Sequence, residues 1–204
     1  NSLQESRNEW TSRLIYILTP LILNGCKIIC KEAIKVCKKN NENEKYLITF
    51  QQFLSHVPKW NSHMIDEECK RIIEKSNCTY LGDLIMCVHI IHLKMLTVMR
   101  VGTKQKKMDL DIVPFSTFIH NVYVHCARKM YTNCYLFEQG IPPLQMQKNN
   151  RKLELLVQEC ILTTIRDSIP VEIVLRAYLD ETEEDHTSEV IKEEQIIVPL
   201  TKEE

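Results

Sequence analysis

Apolar residues recur at helical spacing along most of the first 179 residues, and this pattern constrains the fold more than any other feature. In stretch after stretch they return every three or four positions, which places them on one face of a helix. The chain has only four glycines, so few positions can adopt a positive φ and tight β-turns are poorly supplied. We therefore predict an all-α fold: an irregular helical bundle of about six to seven helices around a central apolar helix, with an acidic flexible C-terminal tail.

The same pattern divides the chain into three parts. Residues 1–45 are predicted to form an N-terminal arm with an amphipathic helix, residues 46–179 a helical body, and residues 180–204 an acidic tail. The composition of the tail is typical of a segment that cannot build a core of its own.

Within the arm, residues 1–12 are polar and are predicted to be loose. Pro20 is expected to kink or split the helix that follows. The apolar run Leu14–Ile29 falls short of a membrane span because it is too short and includes several polar residues. A buried or membrane-surface helix is therefore the better interpretation.

The most apolar segment is Tyr80–Val101, which we predict to be the central and most buried helix, since a helix apolar nearly all round is stable only when surrounded. Its predicted core residues are Leu84, Val88, Ile91, Met95 and Leu96. Further helices are predicted over residues 48–57, 62–75, 116–133 and 145–168, with a short one that ends at Leu179.

Charge is distributed unevenly along the chain. The tail from Asp180 onward carries ten acidic and two basic residues, or −8, whereas residues 1–179 carry 24 basic and 17 acidic residues, or +7. A basic body can bind nucleic acid, an acidic surface or its own tail. Within the tail, Ile196–Leu200 is an apolar island that could dock on a partner.

Nine cysteines, an odd number, lie mostly in apolar helical patterns. We interpret them as free thiols in a reducing compartment that act as small core residues, and expect neither a disulfide nor a structural zinc. Cys26, Cys30 and Cys37 share one helical face, but the CxxC spacing of a metal site is missing.

Histidines offer the other candidate constellations. His89 and His92 lie three residues apart, with Cys87 and Asp83 nearby in sequence, and two helical histidines can ligate one metal. HxxH without the glutamate of HExxH favours core histidines instead. The group of His120, His125 and Cys126 is interpreted in the same way.

No phosphate-binding glycine loop and no nucleophile motif occurs in the sequence. The lysines of Lys27–Lys39 and Lys104–Lys107 lack interleaved aromatic residues, so we interpret them as solvated faces. We therefore assign no catalytic, cofactor-binding or metal-binding residue, and predict that the protein is not an enzyme and needs no cofactor.

A longer pattern of residues spans positions 46–179. Its elements are Phe50–Asn61 (FQQFLSHVPKWN), Ile72–Cys78 (IIEKSNC), Leu81–Ile85 (LGDLI), His92–Lys94 with Arg100, Phe118–His120, Ala127–Arg128, Asn133, Leu136–Phe137, Gln147–Asn149 with Arg151, Ile165–Arg166, Ile169–Val171 and Tyr178–Leu179. This pattern resembles a family of unassigned activity from nucleocytoplasmic large DNA viruses, of the iridovirus and giant-virus type.

The resemblance implies a virion protein assembled in the host cytoplasm. It implies a minor capsid protein that cements or scaffolds trimers of the major capsid protein under the shell, next to an internal viral membrane. Its implied partners are the major capsid protein and other minor capsid proteins, and it would not be a free monomer in the assembly. Nucleic acid is not an expected partner.

Two other functions stay open from the sequence. One is a nucleic-acid-associated viral factor that uses the basic body, and the other is a metal- or thiol-dependent enzyme that uses the cysteines and histidines. A steep loss of nucleic-acid affinity with salt would support the first, and stoichiometric metal in the purified protein the second.

Overall fold

A computed structural model describes residues 2–98, 112–176 and 178–179. Six α-helices run through these residues: α1 Ser2–Lys39, α2 Tyr46–His56, α3 Ser62–Ser76, α4 Leu81–Val98, α5 Phe115–Thr132 and α6 Pro143–Asp167. Short 3₁₀-helices lie at Asn43–Lys45, Val57–Lys59 and Cys134–Phe137. A seventh helical segment, α7, occupies residues 171–176 and 178–179. The described residues contain no strand, so the predicted all-α fold of about seven helices is confirmed.

Local signals explain where the helices begin and end. α1 ends at a left-handed Asn41, where Glu42 N–H donates to the Cys37 carbonyl at 2.9 Å and Asn41 N–H to the Lys38 carbonyl at 3.3 Å. This pair of bonds satisfies carbonyls that the last helical turn leaves free. α3 begins at Asn61, whose side-chain oxygen accepts from the Met64 N–H at 2.9 Å.

The core is organised around α1. This helix packs against α2, α3, α4 and α6, while α5 covers the other side of the core by packing on α2, α3 and α6. Its buried stripe repeats almost every fourth residue: Leu14, Leu18, Ile22, Cys26, Cys30, Ala33 and Cys37. The stripe therefore supplies one continuous apolar face to four other helices.

The prediction that Tyr80–Val101 is the central helix is wrong. α4 lies at the side of the core, packed chiefly on α1. Leu84 and Val88 are buried as expected, but Leu96 is 37% exposed and Ile91 and Met95 are half-buried. Only one face of α4 meets the core, so a helix that is apolar nearly all round leaves apolar side chains on the surface as well. The predicted residues 99–101 lie outside the described part of the chain.

The predicted N-terminal arm also differs from the structure. α1 begins at Ser2, so residues 2–12 are helical rather than loose, and Arg13 pairs with Glu9 one turn earlier at 2.6 Å. α1 runs through Pro20 as one helix. Because its stripe belongs to the same core cluster as the residues of 46–179, α1 is a part of the body.

An 18-residue window of α1 is long and apolar enough to cross a membrane, and 44% of it is buried inside the protein. The bent pair formed by α3 and α4, at 99° to each other, passes the same test together. For α1 the apolar stripe is accounted for by the core, since core helices share this composition.

We expect Leu18→Ala to lower the free energy of unfolding by ~2–5 kcal/mol, because it leaves a cavity in the fully buried stripe. Leu96→Ala removes the same atoms from a partly exposed position and should cost about 1 kcal/mol or less. Urea unfolding followed by circular dichroism measures both. Equal losses for the two variants would contradict the assignment of α1 as the central helix.

Candidate functional site

A charged and hydrogen-bonded network joins α1, α3 and α5. On α3, Arg71 and Glu68 form an ion pair with a 2.5 Å nitrogen–oxygen distance, and each side chain is 19% exposed. Arg71 Nη2 also donates to the Leu21 carbonyl of α1 at 2.8 Å. The Tyr123 hydroxyl of α5 donates to the same Glu68 carboxylate. The network therefore links side chains that are 52 and 55 residues apart in sequence.

Gly25 makes this network possible. A Cβ at this position would lie 1.9 Å from the Tyr123 hydroxyl oxygen and 2.9 Å from Glu68 Oε1. Any other residue would push the tyrosine away from the surface of α1. The glycine is thus required for a close approach of two helices, and its role is packing.

The protonation of the network is fixed by its surroundings. Burial, together with nearby Cys26 and the Glu68 carboxylate, raises the pKa of Tyr123 well above its ordinary value. The tyrosine therefore stays a hydrogen-bond donor to Glu68 over the physiological pH range. Arg71 Nη1 is buried without a partner in the described residues. These properties suit a structural link better than proton transfer.

Three cysteines from three helices meet next to this network. Hydrogen bonds with Cys160 of α6 and Cys26 of α1, together with burial, raise the pKa of Cys126 well above its ordinary value. Burial raises the pKa of Cys30 to about 11, and burial with the nearby Asp66 and Glu68 carboxylates raises that of Cys69 to about 11. The hydrogen bond with Cys126 instead lowers the pKa of Cys160. Cys30, Cys69 and Cys126 are therefore protonated at neutral pH, and a protonated thiol is a poor nucleophile and a poor metal ligand.

The remaining cysteines divide by position. Cys37 is buried, with its sulfur 3.2 Å from Thr49 Oγ1, so the predicted core face of Cys26, Cys30 and Cys37 is confirmed. Cys87 is exposed, which corrects its interpretation as a core residue. The thiols are free in this structure. Within the described residues, no group of three or more His, Cys, Asp or Glu side chains could hold a metal ion.

The fold gives His89 and His92 different partners. His89 is buried: its Nδ1 donates to the Ile85 carbonyl at 2.7 Å and its ring lies edge-on to Phe118. A neutral ring that donates from Nδ1 has an acceptor at Nε2, and this atom has no hydrogen-bond partner within the part of the chain that the structure describes. His92 Nε2 instead forms a hydrogen bond with the Thr11 hydroxyl at 3.0 Å. The side chains of Asp83 and Cys87 are both exposed.

The second constellation is also dispersed. His120 Nε2 donates to the Val57 carbonyl at 2.9 Å, and its ring stacks on Trp60. His125 faces Asp167 of α6 at 3.1 Å. Cys126 belongs to the buried cysteine group. His120, His125 and Cys126 therefore contact three different sets of partners among the described residues.

Two surface features remain as candidate binding sites. The first is the α7 stripe, which we define as Val171, Leu175 and Leu179: these residues lie four positions apart on one face of α7, and all are exposed. The second is the Tyr16 groove, a cleft of about 700 Å³ between α1, the end of α3 and α6. Of the predicted basic patches, Lys27 lines this groove, whereas Lys104–Lys107 lie outside the described residues, as does Ile196–Leu200.

The family comparison covers most of this structure. A family model described as a family of unknown function, DUF5764, matches residues 1–138, which comprise α1 to α5 and the last 3₁₀-helix. The chain belongs to the DUF5764 family. No curated protein and no solved structure matches it. The matched part of this DUF5764 protein contains the whole Gly25–Glu68–Arg71–Tyr123 network, and α6 and α7 lie beyond it.

Sequence reasoning did not find that network. Its local signal was present, since Glu68 and Arg71 are spaced i, i+3 beside the apolar stripe of α3 and Gly25 interrupts the stripe of α1. Their connection to Tyr123 depends on how three helices pack in this DUF5764 protein. Hydrophobic periodicity within each helix does not predict this packing.

We expect Gly25→Ala to lower the free energy of unfolding by roughly 1–3 kcal/mol, because the new methyl group overlaps the Tyr123 hydroxyl. Combining it with Tyr123→Phe should recover part of that loss in a double-mutant cycle. Gly82→Ala is the matched control, since a Cβ there meets nothing within 4 Å. A Gly25→Ala protein as stable as the Gly82→Ala protein would contradict the close approach.

We expect the protein to lose stability as the pH falls below about 6.5, the pKa of an unfolded histidine. Burial lowers the pKa of His89 and of His92 below the ordinary value of 6.5, and nearby Arg7 and Arg166 lower that of His92 further. The unfolded chain then binds protons that the folded chain resists, so acid favours unfolding. Urea unfolding at two pH values should show less acid sensitivity in His89→Leu. An exposed control, His63→Leu, should behave like the parent protein.

Proposed function

We propose that the protein is a structural component of a large DNA virus particle, a minor capsid protein that cements or scaffolds major capsid protein trimers under the shell. It acts by binding neighbours and catalyses no reaction. Its partners are the major capsid protein and other minor capsid proteins, and it is assembled in the host cytoplasm. The sequence resemblance over residues 46–179 supplies the viral setting, while membership of DUF5764 leaves the function open.

The α7 stripe is the observation that best supports a binding role. Val174 anchors α7 to the body, whereas Val171, Leu175 and Leu179 face outward. Spacing of i, i+4 and i+8 is typical of a helix that lays an apolar face into a partner's groove. A contiguous exposed apolar stripe promotes aggregation of a free monomer, whereas in an assembly it can be buried against a partner.

The interior supports the same proposal. The polar side chains that could carry chemistry are engaged with one another: Tyr123 with Glu68, and Arg71 with Glu68 and a backbone carbonyl. Hydrogen bonds with Cys160 and Cys26, together with burial, keep the Cys126 thiol protonated. This arrangement holds helices in register, which a cement protein requires.

We expect Leu179→Asp to reduce incorporation into particles, measured as the ratio of this protein to the major capsid protein in purified virions. A charge in the centre of an apolar contact leaves an unpaired buried carboxylate and should weaken binding at least about tenfold. Leu144→Asp is the matched control, because Leu144 is 64% and Leu179 67% exposed and Leu144 lies at the start of α6. Circular dichroism should show both variants folded.

Absence of the unaltered protein from purified particles would rule out the virion role. Equal incorporation of the two variants would show that α7 is not the attachment surface. The nucleic-acid alternative makes a different prediction: binding to duplex DNA that falls steeply with salt and is unaffected by Leu179→Asp.

A further inference from the structure

The Tyr16 groove combines an apolar wall with a basic rim. Tyr16 is 83% exposed, the largest exposure among the large apolar side chains of the described residues, and it lies beside Ile17 and Leu21 on the wall. Lys27, Lys75 and Arg151 supply the positive charge of the rim. One carboxylate, Glu154, also lines the groove and pairs with Arg151 at 2.9 Å, so the rim is basic overall. An aromatic ring in this position can cover apolar groups of a ligand while the rim attracts negative charge.

The backbone of the groove offers a polar contact as well. Pro20 lies in the middle of α1 and has no N–H, so it cannot donate to the Tyr16 carbonyl one turn earlier. Both residues line the groove. Lys27 borders it too, and its Nζ donates to Asn150 Oδ1 of α6 at 3.0 Å, which ties the two walls together.

We propose that the occupant of the Tyr16 groove is the C-terminal tail of the same chain, docked through Ile196–Leu200. This segment is apolar, is preceded by Glu193 and Glu194, and is followed by Glu203 and Glu204. It therefore matches an apolar wall with a basic rim. The overall charges agree, since the tail is −8 and residues 1–179 are +7.

The chain is long enough to make this contact. Gln158 at the near end of the groove is nine residues before the end of α6 at Asp167, or about 14 Å along the helix, and Arg151 at the far end is about 24 Å away. Ile196 lies 17 residues after Leu179, and a fully extended chain of this length reaches at most roughly 56–61 Å. This reach exceeds the distance from the end of α6 to Arg151 by more than a factor of two.

Intramolecular docking would explain how an apolar island can be carried on a charged tail without exposing it. The inference rests on the groove and the charge pattern and not on the proposed virion role. A failure of either proposal therefore leaves the other standing.

Photo-crosslinking in the full chain tests the proposal. A benzophenone amino acid replaces Tyr16, and mass spectrometry maps the crosslinked peptides. We expect crosslinks to residues 190–204 of the same chain, in a yield independent of protein concentration. The double change Ile197→Asp and Leu200→Asp should reduce that yield about tenfold, because burial of each side chain shifts the docking equilibrium by at least that factor. These changes alter none of the described residues that build the core, so we expect the body to stay folded.

A matched pair of charge-reversal variants tests the contribution of the basic rim. Arg151 and Lys35 are both 64% exposed and each pairs with a glutamate three residues away, but only Arg151 lines the groove. Arg151→Glu should lower the crosslink yield, and Lys35→Glu should not. Crosslinks that join two chains in a concentration-dependent way would overturn the proposal. So would an equal crosslink yield from a benzophenone placed at Tyr135. A crosslink yield that is the same with and without the changes Ile197→Asp and Leu200→Asp would also overturn it.

Discussion

Burial of one apolar stripe on α1 is the interaction on which the rest of the structure depends. The stripe from Leu14 to Cys37 runs along a helix of 38 residues, and four other helices use it as a common wall. Each fully buried leucine or isoleucine contributes about 1.5–3 kcal/mol relative to exposure, and Leu14, Leu18 and Ile22 of the stripe are all fully buried. α2, α3, α4 and α6 all pack on α1, and α5 closes the core by packing on α2, α3 and α6.

A second constraint determines how α1 meets α3 and α5. Apolar faces can slide against one another at small cost, whereas a charged group out of water must keep its partners. Arg71 donates to the Leu21 carbonyl of α1, and Gly25 lets Tyr123 approach the same helix closely. The network therefore defines one register among the several that apolar packing would tolerate. The buried Cys26, Cys126 and Cys160 next to it fill the remaining space as small side chains.

Periodicity predicted the class of the fold and most helix positions. α3, predicted over residues 62–75, runs from Ser62 to Ser76, and the boundaries of α5 and α6 differ from prediction by one or two residues. The cause is local: apolar spacing and flanking residues such as Asn61 act within a few residues. The central helix was assigned incorrectly because composition does not reveal which faces find partners. α4 is more apolar than α1, yet α1 has the longer continuous stripe.

The candidate site residues were likewise predictable only in part. Cys26, Cys30 and Cys37 could be placed in the core from their common face, but Cys87 occupies an equally apolar segment and faces outward. No sequence rule separates these cases, since burial depends on the neighbouring helix. The contact of Tyr123 with Glu68 joins residues 55 positions apart and follows only from the packed structure.

We infer that α1 is the most stable part of the protein and that α4 is an outer helix. Native-state hydrogen exchange of the full chain, followed by mass spectrometry of peptides, tests it directly. Amides in the α1 stripe from Leu14 to Ala33 should exchange most slowly and only through global unfolding, while those in the second half of α4 exchange through local opening. Protection of α4 that equals or exceeds that of α1 would contradict the account.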